Sequence, residues 1–162
     1  MNILEILRRD DEALRRCVAE MQRAAGRPED VGSADYFPDG GLRLMRELKA
    51  FQAALRIHER LEKRFAADLA REPDIEGSEL AAALEQGQRV VEESARWLDV
   101  VFGIGDDGRA YRIRTMLDLL VRDLEGHLAC EDRVAARLRD GLSGEALERL
   151  GLSAVVATGV RS

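Results

Sequence analysis

The sequence contains two histidines, His58 and His127, and each is followed four residues later by a glutamate, Glu62 and Glu131. Residues i and i+4 sit one turn apart on one face of an α-helix. The repeated frame therefore presents an imidazole and a carboxylate side by side, twice. Neutral imidazole and ionised carboxylate are ligands for divalent first-row metal ions. The neighbours sharpen the point. One helical face reads Phe51, Leu55, His58, Glu62, Phe65, and another reads Leu120, Leu124, His127, Glu131, Val134. Both pairs interrupt apolar stripes, so both are expected to point into a core.

Two further stripes carry a single gap. Leu4, Leu7, Leu14 and Val18 share a face with Asp11, and Leu84, Val91 and Ala95 share one with Gln88. Burying a carboxylate alone costs several kcal/mol. Three of them, Asp11, Glu62 and Glu131, would consume a folding stability of about 5–15 kcal/mol. No lysine or arginine falls on these stripes to offset them. A bound cation offsets them directly, and helix bundles build metal centres from inward side chains on facing helices. The opposing reading is a buried polar network without metal, in which the histidines are hydrogen-bonded core residues.

Helices must position these groups. Apolar residues at 3/4 spacing predict four long helices, over about Asn2–Ala25, Leu42–Arg71, Ser78–Val101 and Tyr111–Asp140. GRPEDVGSADYFPDGG separates the first two, and FGIGDDGRA separates the last two. Glu72-Pro73 ends the second helix, because the residue before proline is pushed out of the α region. A short final helix, GEALERL, takes Ser143 as its N-cap. Residues 151–162 form a tail that packs back or frays.

Composition agrees with helices. Ala, Leu, Glu and Arg dominate, all of them strong helix formers, and only 4% of residues are aromatic. The length of 162 residues favours one domain, taken as residues 1–150. The expected fold is all-α, an antiparallel up-down four-helix bundle with a short C-terminal helix. A net charge of −6 gives a nucleic-acid partner no electrostatic support. No apolar run reaches the roughly 18 residues needed to span a bilayer. The opening MNILEILRRDDEAL turns charged too early for a secretory signal. Cys17 and Cys130 do not make a disulfide framework. These features predict a cytoplasmic protein with reduced thiols, without membrane or nucleic-acid partners and with its oligomeric state open.

The same residues resemble the hemerythrin-like, or HHE, cation-binding domain over about residues 1–150. LVRDLEGHLACEDRVAARLRDGLSGEALERLG is similar to that family's last helix and the short helix after it. RIHERLEKRF is similar to its H-E-x-x-E segment, ILRRDDEAL to its opening helix and EQGQRVVEESARWL to its third. The resemblance implies a four-helix bundle holding two non-haem irons, with manganese or zinc as alternatives. It assigns His58 and His127 as terminal ligands, Glu62 and Glu131 as bridges, and Glu59 as a ligand to the second iron. Asp11 stands where the family carries a histidine in helix one. Gln88 stands at the corresponding position in helix three, with Glu92 one turn on as an alternative. A neutral amide is a poor ligand, so the second metal position is expected to be the weaker. A carboxylate-rich set implies reaction with, or sensing of, oxygen, nitric oxide or peroxide, or handling of iron, rather than reversible oxygen carriage. The competing expectation is a degenerate, metal-free bundle that serves as an interaction module.

Plainer roles fit several of these and other residues. Glu59 also reads as an exposed helix residue. Cys17 and Cys130 read as small fillers at stripe edges, Tyr36 and Phe37 as a tether for their loop, and Tyr111 as an anchor for helix four. GIGDDG has no strand before it and is not a phosphate loop.

Overall fold

The computed structural model describes residues 2–26, 37, 41–72, 75–103 and 109–158. Five helices account for nearly all of them: α1 (Ile3–Ala25), α2 (Leu42–Leu69), α3 (Gly77–Gly103), α4 (Arg109–Gly141) and α5 (Gly144–Thr158). The first four pack as an all-α bundle with antiparallel neighbours. α1 lies on α2, α2 on α3 and α3 on α4, and contacts between α1 and α4 close the ring. α5 packs across α2 and α1.

Local chemistry sets the helix ends. Asn2 caps α1: its side chain accepts from the Glu5 amide at 3.1 Å, and the Glu5 carboxylate accepts from the Asn2 amide at 3.1 Å. This reciprocal pair satisfies two amides that the helix leaves free. Ser143 caps α5, its Oγ accepting from the Ala146 amide at 3.2 Å. The α2–α3 connection is tight, and a Cβ at Gly77 would run into the Leu69 carbonyl. Pro73, Tyr36 and Ile104–Gly108 lie outside the described residues, so the roles read for them are not part of this description.

α5 is longer than the stretch GEALERL, continuing through Gly151 to Thr158. Leu147, Leu150 and Ala154 are buried on one face and join the core formed with Ile3, Phe65, Leu69 and Leu138. That apolar stripe carries the helix into residues read as tail. Phe37 is buried in the bundle under the Arg114 guanidinium, 4.8 Å from its ring centre, which fits a tether. Tyr111 is 62% exposed and so does not anchor α4 in the core. Cys17 and Cys130 are half-buried free thiols.

The apolar core comes in two parts. One is built around Leu14, Leu48, Phe51, Val91, Leu98 and Leu120. The other is built around Leu7, Phe65, Leu69, Leu84, Val134 and Leu138. Along each of the four helices the two parts are separated by buried polar residues: Asp11 on α1, His58 and Glu62 on α2, Gln88 on α3, His127 and Glu131 on α4. The gaps in the sequence stripes form one polar layer across the middle of the bundle.

Candidate metal centre

His58 and Glu62 stand one turn apart on α2, and His127 and Glu131 stand one turn apart on α4. α3 and α1 flank both. The two imidazoles meet edge to face, with ring centres 5.3 Å apart and planes at 89°. Their Nε2 atoms are 3.0 Å apart. Glu62 Oε2 lies 3.3 Å from His58 Nε2 and 3.2 Å from His127 Nε2. Glu131 Oε1 lies 3.3 Å and 3.5 Å from the same two nitrogens. These four residues are buried, and one ligand atom from each falls within 4.8 Å of all the others.

The spacing has a simple geometric meaning. Four N and O ligands placed tetrahedrally at about 2.0–2.2 Å from one ion are separated by about 3.3–3.5 Å. Five of the six separations are measured above, at 3.0–3.5 Å. The four atoms therefore surround a common point. They are not hydrogen-bonded to satisfaction: both oxygens of Glu62, both oxygens of Glu131, His127 Nδ1, Asp11 Oδ1 and Gln88 Oε1 are buried without a hydrogen-bond partner. Native proteins leave few such atoms, and each costs about 1–3 kcal/mol. Their concentration in one layer fits a cation, which would take up lone pairs of the Glu62 and Glu131 carboxylates.

Proton affinities follow from the crowding. Burial pulls the His58 imidazole down, but the Asp10 carboxylate and Glu62 outweigh it and raise its pKa to about 10. Burial would raise Glu62, yet the His127 and His58 imidazoles hold it down to about 2. Glu131 is raised well above the usual carboxylate range by burial, with the Asp11 and Glu62 carboxyls beside it adding to the shift. Asp11 is raised by burial too. The neighbouring Glu131 carboxyl offsets part of that rise, while Asp11 adds to the rise of Glu131.

The residues singled out in sequence divide into three groups. His58, Glu62, His127 and Glu131 converge. Asp11 borders them through Glu131, and Gln88 sits in the same buried layer, its Nε2 donating to Glu92 Oε1 at 3.0 Å. Glu59 is not brought to the cluster. One residue on from His58, it is turned about 100° around the helix, and its carboxylate pairs with Lys63 at the surface. Glu92 is half-buried, held at the edge of the layer by Gln88.

Two participants escape a reading by stripes. Asp10 Oδ2 accepts from His58 Nδ1 at 2.7 Å. That bond fixes the tautomer in which Nε2 carries the lone pair, the arrangement found behind metal-ligating histidines. The Asp10-Asp11 pair was the available signal: a buried ligand histidine needs an acceptor for its other nitrogen. Gly87 is the second. A Cβ there would lie 2.5 Å from His127 Nδ1, so only glycine lets α3 approach the ring this closely.

In three comparisons with known proteins, no family model, no curated protein and no solved structure matches the chain. Among the described residues, no helix is long and apolar enough to cross a membrane.

Proposed function

We propose that this bundle is a metal protein that holds one divalent first-row transition ion between His58, Glu62, His127 and Glu131. The observation that carries the reading is the common point those four atoms surround, together with their unsatisfied lone pairs. The donors are nitrogen and oxygen, with no thiolate, which suits Fe(II), Mn(II), Co(II) or Zn(II). Iron is the ion we favour, because the resemblance to hemerythrin-like domains implies non-haem iron. The ion would supply Lewis acidity and, if iron or manganese, one-electron chemistry toward oxygen, nitric oxide or peroxide. The protein's own part is to fix and insulate. Asp10 orients His58, Gly87 admits His127, and the two apolar half-cores exclude bulk water above and below.

The resemblance implies two irons. We propose one, because the donor atoms converge once and Glu59, the carboxylate assigned to a second ion, is engaged by Lys63 at the surface. A metal-free module is the alternative reading. The contact of His58 with Asp10 and Glu62 favours it, since these groups form an internal ion pair without help. That pair leaves both Glu131 oxygens without partners, which is why we prefer the ion.

Metal analysis of protein purified after iron supplementation tests this directly. One equivalent of metal per chain, lost in the His58→Ala and His127→Ala variants, is expected. Absence of iron, manganese and zinc alike, with no change in thermal melting on chelation, would establish the metal-free reading instead.

A further inference from the structure

Beside the polar layer, a pocket of about 290 Å³ opens between α2 and α3. Glu62 and Ala66 line it from α2, and Leu84, Gln88 and Glu92 line it from α3. Lys63, Glu85 and Arg89 complete its wall. On the α1 side of the cluster two acidic residues stand against it. Asp10 bonds to His58, and the Asp11 carboxyl faces Glu131. The α2–α3 pocket brings an outside molecule up to Glu62, a residue of the four-donor set, and to Gln88, whose Oε1 lies buried behind the pocket wall together with the Glu62 oxygens.

Gln88 gives that meeting place a chemical preference. Its side chain is 5% exposed, and its Nε2 is committed to Glu92. This bond fixes the amide orientation and leaves Oε1 as a buried acceptor with no partner. A ligand that satisfies Gln88 must carry an N–H or O–H. The wall charges set a second condition. Glu62, Glu85 and Glu92 outnumber Lys63 and Arg89. Lys63 is drawn to Glu59, and Arg89 lies 3.8 Å from Glu85. Both wall cations are thus already engaged by carboxylates, and neither is left to receive an anion. Size is the third condition. A water's share of liquid is about 30 Å³, so the space suits a small molecule of up to about ten heavy atoms.

We propose that the α2–α3 pocket is the binding site for a small uncharged ligand that coordinates the ion through a lone pair and donates a hydrogen bond to Gln88 Oε1. Small alcohols, hydroxylamines and hydrogen peroxide belong to this class; azide and other anions without a donor do not. The inference rests on the metal reading given above. Gln88 is then a selectivity residue rather than a metal ligand, and Glu92 is the residue that orients it.

The test uses the full chain loaded with Co(II), whose visible absorption reports a change of coordination without turnover. Hydroxylamine, at a pH where it is uncharged, should produce a saturable spectral change at lower concentration than azide. Gln88→Leu keeps the volume and removes the acceptor. It should weaken hydroxylamine about three- to tenfold, the worth of one neutral hydrogen bond, while the cobalt spectrum before ligand addition stays that of the wild type. Glu85→Trp, at an exposed rim position, provides a check independent of the buried amide. It should slow hydroxylamine association without altering that spectrum. If Gln88→Leu titrates as the wild type does, or azide binds the more tightly, this inference fails while the metal reading stands. If cobalt does not bind, both fail.

Discussion

At the scale of single residues, the proposed centre depends on groups that would touch no ion. Asp10 holds His58 by one hydrogen bond, and such outer partners are worth about 10–100-fold in metal affinity. Asp10→Asn should therefore lower affinity by that factor in a chelator competition while retaining full binding at excess metal. Two glycines give a paired comparison. Alanine at either helical position gains about 0.5–1 kcal/mol of helix propensity. At Gly126, beside His127 in sequence, a Cβ meets nothing within 4 Å. Gly126→Ala should raise the melting temperature and leave metal affinity alone. At Gly87 the same methyl meets the His127 ring at 2.5 Å. Overpacking a buried site costs about 1–3 kcal/mol, which exceeds the propensity gain. Gly87→Ala should lower both melting temperature and metal affinity, and a rise in either would contradict the described approach of α3 to the ring.

Elements differ in how much their own sequence reveals. α1 to α4 were legible because a 3/4 apolar stripe, its polar gaps and its caps are all local. The same stripes exposed His58, Glu62, His127 and Glu131, since a charged residue amid Leu and Phe stands out without knowledge of the partner helix. Asp10, marked only by its place beside Asp11, and Gly87 could not be assigned from sequence, because their roles depend on the rotation of one helix against another. Glu59 carried two readings, ligand and exposed helix residue: adjacency to His58 in sequence is a 100° turn on a helix, and its carboxylate pairs with Lys63 one turn on. α5 was cut short because GLSAVVAT has no charge to mark a polar face, although Leu150 and Ala154 continue a buried one. Its contribution is to the core rather than the centre. Leu150→Ala should destabilise by about 2–5 kcal/mol, read as a lowered denaturation midpoint, with metal content per chain unchanged.

For the whole molecule, the polar layer links stability to pH and, under the proposed metal reading, to metal with the opposite sign. His58 titrates near 6.5 when unfolded and about 10 when folded. A raised basic group stabilises fully below the unfolded value, and that contribution is lost as pH rises through the folded one. Glu131, raised well above the usual carboxylate range, acts in the same direction, because its folded form holds a proton that the unfolded form has released. Chelated protein should thus lose melting temperature between about pH 6.5 and 10. Metal binding competes with the same protons, so its stabilisation grows as pH rises. Calorimetry on chelated and loaded samples should show the difference between them widening across that range. A constant difference would mean that no proton leaves these residues on loading.

The division of the core into two apolar parts also constrains how the chain can be assembled wrongly. In a bundle with one uninterrupted apolar seam, a helix that slides by a turn exchanges leucine for leucine and meets little resistance. Here a slip of one turn, about 5.4 Å, carries Glu131 or His58 out of the layer and sets it among Leu, Val and Phe. The penalty falls on every helix, since α1 to α4 each contribute to the layer. The polar cross-section acts as an index mark that all four helices must meet, so it selects one alignment from several of similar apolar contact. Replacing Asp11, His58, Glu62, Gln88, His127 and Glu131 together by apolar residues should then give a protein more resistant to denaturant but lacking a single set of sharp amide resonances.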